Sequence, residues 1–160
     1  MKRPYEKKNE QPFRTFEDLE VYKKARQFRK SMYGVTRKLP DFEKYELSSQ
    51  IRRASVSLTN NIAEGHGRYH YLEQLKFLFQ ARGSLQELID DLNVCEDEEY
   101  LPKSEVFDLK NLAKEVQRLI SGYARYLRDR KFGSSFRVNE SADDEEFLRE
   151  LDLLFNHSNI

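Results

Sequence analysis

Residues 71–95 read YLEQLKFLFQARGSLQELIDDLNVC. Leu75, Leu78, Ala81, Leu85, Leu88, Leu92 and Cys95 recur there at steps of three and four, the repeat of one face of an α-helix. No proline interrupts the stretch, and the spacing predicts a helix from about Tyr71 to Glu99. A stripe this long is stable only when other apolar stripes cover it, so the flanking sequence has to supply them.

It does so on both sides. Upstream, a helix expected to start near Asp41 carries Leu47, Ile51, Ala54, Leu58 and Ile62 on one face, and Gly65 and Gly67 are its expected stop. Further upstream, Thr15 with Asp18 three residues on has the form of a capping box. Leu19, Tyr22, Ala25, Phe28, Met32, Val35 and Leu39 then form a stripe that Pro40 ends. Downstream, Leu101-Pro102 breaks the long helix and Ser104 is the expected cap of the next, with Leu109, Leu112, Val116, Leu119, Ile120, Tyr123 and Leu127 on its apolar face. Because every connection is short, successive helices must pack antiparallel. The fold class is all-α: an up-down-up-down four-helix bundle over residues 15–131.

Outside the bundle, residues 1–14 read as a mobile basic arm, residues 132–142 as a polar linker, and residues 143–160 as an acidic amphipathic tail. Phe147, Leu148, Leu151, Leu154 and Phe155 give the tail one apolar face that needs a surface to rest on. A mean hydropathy of −0.85 with 35% charged residues is that of amphipathic helices in water, and no apolar run approaches the ~20 residues of a membrane span. With a polar N-terminus and Cys95 as the single cysteine, a reducing cytoplasm is the expected setting.

Catalytic signatures are missing from the pattern. A di-iron bundle needs Glu-x-x-His on two helices, and no Glu here has a His three residues after it. His66 and His70 share one loop and read as solvated, Cys95 reads as an inert core thiol, and Gly65 and Gly67 fit no phosphate loop. No catalytic residue, metal ligand or cofactor is expected.

Charge is more informative. Net charge is zero, yet residues 141–160 hold Asp143, Asp144, Glu145, Glu146, Glu150 and Asp152 against Arg149, a balance of −5, which leaves +5 on residues 1–140. The topology gathers Arg14, Arg68, Arg125, Arg128, Arg130 and Lys131 at one end of the bundle, while Lys110, Lys114, Arg118, Arg125 and Arg128 form a stripe along the fourth helix. These are the candidate nucleic-acid contacts; the bland alternative is an ordinary solvated surface. The opposite end collects Glu96, Asp97, Glu98 and Glu99 at a helix C-terminus, against the helix dipole and without a local reason.

The stretches FEDLEVYKKAR (16–26), QIRRASVS (50–57), NIAEGHGR (61–68) and ARGSLQEL (81–88) resemble a bacterial four-helix-bundle family. That family includes the proteins encoded in intervening sequences of large-subunit ribosomal RNA genes and is similar to the accessory variability determinants of diversity-generating retroelements. The resemblance covers residues 16 to about 127. It implies a non-catalytic protein, a ring-like homopentamer and, in the retroelement branch, binding of reverse transcriptase and RNA. Asp90 follows Ile89 where the family pattern has an acidic residue directly after Glu87-Leu88, and the acidic tail lies outside the pattern.

With those oligomers in view, the uncharged run from Ala54 to Ala63 has two readings, a neutral or tightly packed helix surface or a subunit interface formed by Val56, Ser57, Asn60, Ala63 and Glu64. The function expected is an oligomeric protein, a homopentamer, that holds structured RNA or a reverse transcriptase assembly through its basic end. The alternative is a protein–protein adaptor with no nucleic-acid role.

Overall fold

The computed structural model describes residues 15–131 and 142–157. Its long helices are α1 (Glu20–Thr36), α2 (Leu47–His66), α3 (Tyr71–Asp97), α4 (Lys103–Lys131) and α5 (Ala142–His157), with single 3-10 turns at Phe16–Asp18 and Asp41–Glu43. The described residues contain no strand.

The helices end for reasons that only partly match the expected ones. Thr15 and Asp18 do form a capping box, but it closes the short 3-10 turn; Leu19 then goes extended (ψ 127°), packs against the core, and α1 starts one residue later. Asp41–Glu43 is likewise a separate turn, and the Glu43 carboxylate accepts the Leu47 N–H at 3.1 Å to open α2. Gly67 terminates α2 as expected, with an ordinary right-handed φ of −75°. Gly65 is not a stop: it is buried inside α2, and a Cβ there would sit 3.0 Å from Phe77 Cβ and 3.2 Å from the Gln74 carbonyl oxygen. It is a point of close approach between α2 and α3. α3 ends in a Schellman motif, with the Tyr100 N–H donating to the Cys95 carbonyl (2.9 Å) and the Glu99 N–H to that of Glu96 (3.2 Å). The left-handed position falls on Glu99 (φ 57°) rather than on a glycine. Ser104 is not the cap of α4 but part of its first turn, which opens with the Pro102 carbonyl accepting from Glu105 and Val106.

Polar contacts fix the directions of the four helices. Arg29 reaches Thr59 while Ser48 reaches back to the Thr36 carbonyl, so α1 and α2 run antiparallel. Ser84 with Ser57 and Gln74 beside Gly65 do the same for α3 and α2, as do Lys110–Glu96 and Gln86–Gln117 for α4 and α3. Lys38–Glu105 and Lys24–Glu115 close the ring between α1 and α4. Helix neighbours are therefore α1–α2–α3–α4–α1, with α2–α3 the most extensive seam and α1–α4 the thinnest.

Phe28, Met32, Ile51, Leu58, Ile62, Leu75, Leu78, Leu85, Leu88 and Leu92 fill the interior at under 2% exposure. Burying each such side chain contributes about 1.5–3 kcal/mol before entropy is counted. Small residues Ala25, Ala54, Ala81, Ala113 and Ala124 sit between them and set the helix spacing. Tyr22, Leu39, Leu112, Leu119 and Tyr123, expected in the stripes, lie half-buried at the margins. Ser55 is fully buried, and its hydroxyl has no hydrogen-bond partner among the described residues. α5 rests on the outside of α3: Phe147 meets Phe79 edge to face at 5.6 Å, Lys76 Nζ lies 5.9 Å from the Phe147 ring, and Leu148 joins Phe147 against the core. The expected basic arm (1–14) and most of the expected linker lie outside the described residues.

Candidate interaction surface

The start of α1, the 66–70 connection and the end of α4 share one end of the bundle, as the His66 ring 3.5 Å from the Tyr123 hydroxyl shows. Several of the cations expected to act there are engaged within the chain. Arg68 donates to Glu64 of its own helix end and lies over the Phe77 ring at 4.9 Å. Arg128 is half-buried with Nε 3.3 Å from Asp129, and Arg125 is exposed. Along α4, Lys110 pairs with Glu96 at 3.0 Å, whereas Lys114 and Arg118 stand exposed. Arg14 and the side chains of Arg130 and Lys131 lie outside the described residues.

A second cationic surface, not anticipated from the sequence, lies between α1 and α2. Residues 21–39 contain no Asp or Glu but hold Lys23, Lys24, Arg26, Arg29, Lys30, Arg37 and Lys38, of which Lys23, Lys24 and Lys38 pair with Glu20, Glu115 and Glu105. Residues 47–63 also contain no acid, and hold Arg52 and Arg53. Antiparallel packing places these two acid-free stretches side by side. Between them run two shallow depressions that share Tyr33 and Val56. One, of about 450 Å³, is lined by Arg29, Lys30, Tyr33, Arg37 and Val56. The other, of about 540 Å³, adds Arg52, Arg53, Ser57, Asn60 and Asn61. Arg29 is held by the Thr59 hydroxyl (2.7 Å), but Lys30, Arg37, Arg52 and Arg53 have no ion pair among the described residues.

Of the residues expected at a subunit interface, Val56, Ser57 and Asn60 line this groove. Ser57 is half-buried and accepts from Ser84 (2.8 Å) and Asn61 (3.1 Å), which ties it to the α2–α3 seam. Glu64 is engaged with Arg68, and Ala63 is half-buried. Val56, 37% exposed, Asn60 and Glu64 are the exposed members.

On the other flank of α2, Gln50 and Arg53 face Glu87, Asp90 and Asp91 of α3 across a smaller depression. Asp91 is only 8% exposed, and its carboxyl is pushed up to about 6 by burial, then by the neighbouring charges of Glu87 and Asp90. Cys95 lies one turn further on, fully buried, with its thiol pushed up to about 11 by burial, Asp91 and Glu43, so it stays protonated at neutral pH. No three His, Cys, Asp or Glu side chains among the described residues are grouped so as to hold a metal ion. Nor is any described helix long and apolar enough to cross a membrane.

Fold and surface together define an all-helical antiparallel bundle with a groove between α1 and α2 whose lining holds cations and no carboxylate. A family model described as 23S rRNA-intervening sequence protein matches residues 17–122. The chain belongs to that family, and the match takes in both walls of the α1–α2 groove. No curated protein matches the chain.

Proposed function

We propose that this chain is a non-catalytic RNA-binding protein whose principal contact surface is the groove between α1 and α2. One observation carries the reading: two acid-free stretches, 21–39 and 47–63, meet along one face in a chain that as a whole holds 28 acids and 28 bases. Solvated helices normally mix signs, and a one-sign groove raises the local concentration of polyanions. The family's description refers to a 23S rRNA intervening sequence, which makes structured RNA the first polyanion to test. Lys114 and Arg118, with the basic end around Arg125, extend the contact to a second face. A reverse transcriptase assembly of the retroelement kind is a partner of the same chemistry, since its RNA is what such a surface grips.

Five phosphate contacts, from Arg29, Lys30, Arg37, Arg52 and Arg53, lower affinity on the order of a hundredfold between 50 and 200 mM salt. Titrating a labelled ribosomal hairpin RNA at both salt concentrations tests this; no binding at the lower one ends the proposal. Self-association into a ring competes for the same face, because Val56 and Asn60 line the groove. Asn60→Glu should then reduce the mass seen by light scattering. The adaptor reading draws on a different observation, the exposed aromatics Phe42, Tyr45 and Phe107 at the carboxylate-rich end.

A further inference from the structure

We propose that the α1–α2 groove is built for RNA with unpaired nucleotides, with Tyr33 as the platform on which an extruded base stacks; this rests on the RNA-binding reading above. Tyr33 lines both depressions together with Val56 and is half-buried. Its ring takes part in no aromatic or cation–π pair among the described residues, unlike those of Tyr22, Tyr100, Tyr123 and Tyr126. Its hydroxyl likewise has no partner among the described residues.

An A-form duplex offers a protein a phosphate rail and little exposed base surface, and such a ligand has no use for an aromatic ring between cations. A loop or bulge offers both phosphates and π-faces, and it is read by aromatic stacking with hydrogen bonds to base edges. The groove matches the second ligand. Arg52 and Arg53 on one wall and Lys30 and Arg37 on the other stand where flanking phosphates would run. Asn60 is exposed, with a carboxamide that has no partner among the described residues, and lies on the Arg52 wall about two turns further along α2. A carboxamide can pair with a base edge as donor and acceptor at once. The depression of about 540 Å³ falls within the size range of small-ligand sites.

The test uses the full chain and two fluorescent RNA hairpins of identical stem and phosphate count, one with a uridine loop and one with abasic residues in the loop. Wild type should bind the uridine hairpin about tenfold more tightly. Tyr33→Leu should lose that difference while binding the abasic hairpin as wild type does, and Tyr33→Phe should keep it. A loop carrying 4-thiouridine should crosslink wild type at Tyr33 or its immediate neighbours, a readout independent of any variant's folding. Equal affinity of wild type for both hairpins, or a crosslink confined to α4, overturns the inference while leaving RNA binding standing. Failure of wild type to bind either hairpin overturns both.

Discussion

Gly65→Ala adds one methyl group where α2 meets α3. The new Cβ would lie 3.0 Å from Phe77 Cβ and 3.2 Å from the Gln74 carbonyl oxygen, against the 3.5–4.0 Å of a relaxed carbon contact. Both neighbours belong to the backbone of α3 or are bonded directly to it, so no side-chain rotation relieves the clash; the helices must separate by several tenths of an ångström. Overpacking of this kind costs about 1–3 kcal/mol, while replacing a helical glycine by alanine returns about 1 kcal/mol of helix propensity. The expected net is a loss of up to about 2 kcal/mol. Gly83→Ala is the matched control: a methyl group added there, on α3, would meet no heavy atom within 4 Å, and only the propensity gain of about 1 kcal/mol applies. Urea denaturation followed by far-UV circular dichroism should move the two midpoints in opposite directions at constant slope. A Gly65→Ala protein stabilised as much as Gly83→Ala would refute the close approach of α2 and α3.

Two further predictions concern the acidic half of the bundle. Glu99→Gly should stabilise by about 1 kcal/mol, because a left-handed backbone costs an L-residue that much and the change also removes a carboxylate from a helix C-terminus; an unchanged thermal midpoint would contradict the Schellman geometry. Asp91, with its carboxyl raised from an ordinary 3.8 to about 6, binds a proton more tightly folded than unfolded. Its contribution is therefore fully present below about pH 4 and is lost as pH rises through 6, with Glu87 and Asp90 on its own helix and Gln50 and Arg53 across the seam as the facing groups. Asp91→Asn should gain on wild type by at most roughly 3 kcal/mol at pH 7.5 and by little at pH 4, read from urea midpoints at both; an equal difference at the two pH values would contradict the burial of that carboxyl.

The apolar periodicity made the bundle legible because each stripe is a local property of one helix. Leu75 to Cys95 needed no knowledge of what covered them. What escaped the sequence depended on two elements meeting. Gly65 looks like a helix stop until Phe77 and Gln74 are placed against it. Of the four acids at the end of α3, Glu96 is compensated by Lys110 only once α4 lies beside it, whereas Glu99 in the left-handed turn adds to the cost. The cations of α1 were visible, and the lack of any acid between Val21 and Leu39 was the signal that could have found the groove. That signal gains weight only when the equally acid-free face of α2 lies beside it. Grouping charges by bundle end and along the fourth helix, as topology alone permits, included Arg68 and Lys110, which the structure engages with Glu64 and with Glu96 of α3.

Charge reversal on the two candidate faces, compared in one RNA titration at low salt, decides which surface holds the nucleic acid. Arg52→Glu/Arg53→Glu disrupts the α1–α2 groove, and Arg125→Glu/Arg128→Glu disrupts the basic end. Both pairs keep the core intact, which a thermal melt of each variant checks. Binding through the groove predicts that the first pair abolishes measurable affinity for a structured RNA while the second weakens it less than about tenfold. Retained affinity in the first pair, with loss in the second, would move the contact to the end of the bundle and contradict the role assigned to α1 and α2.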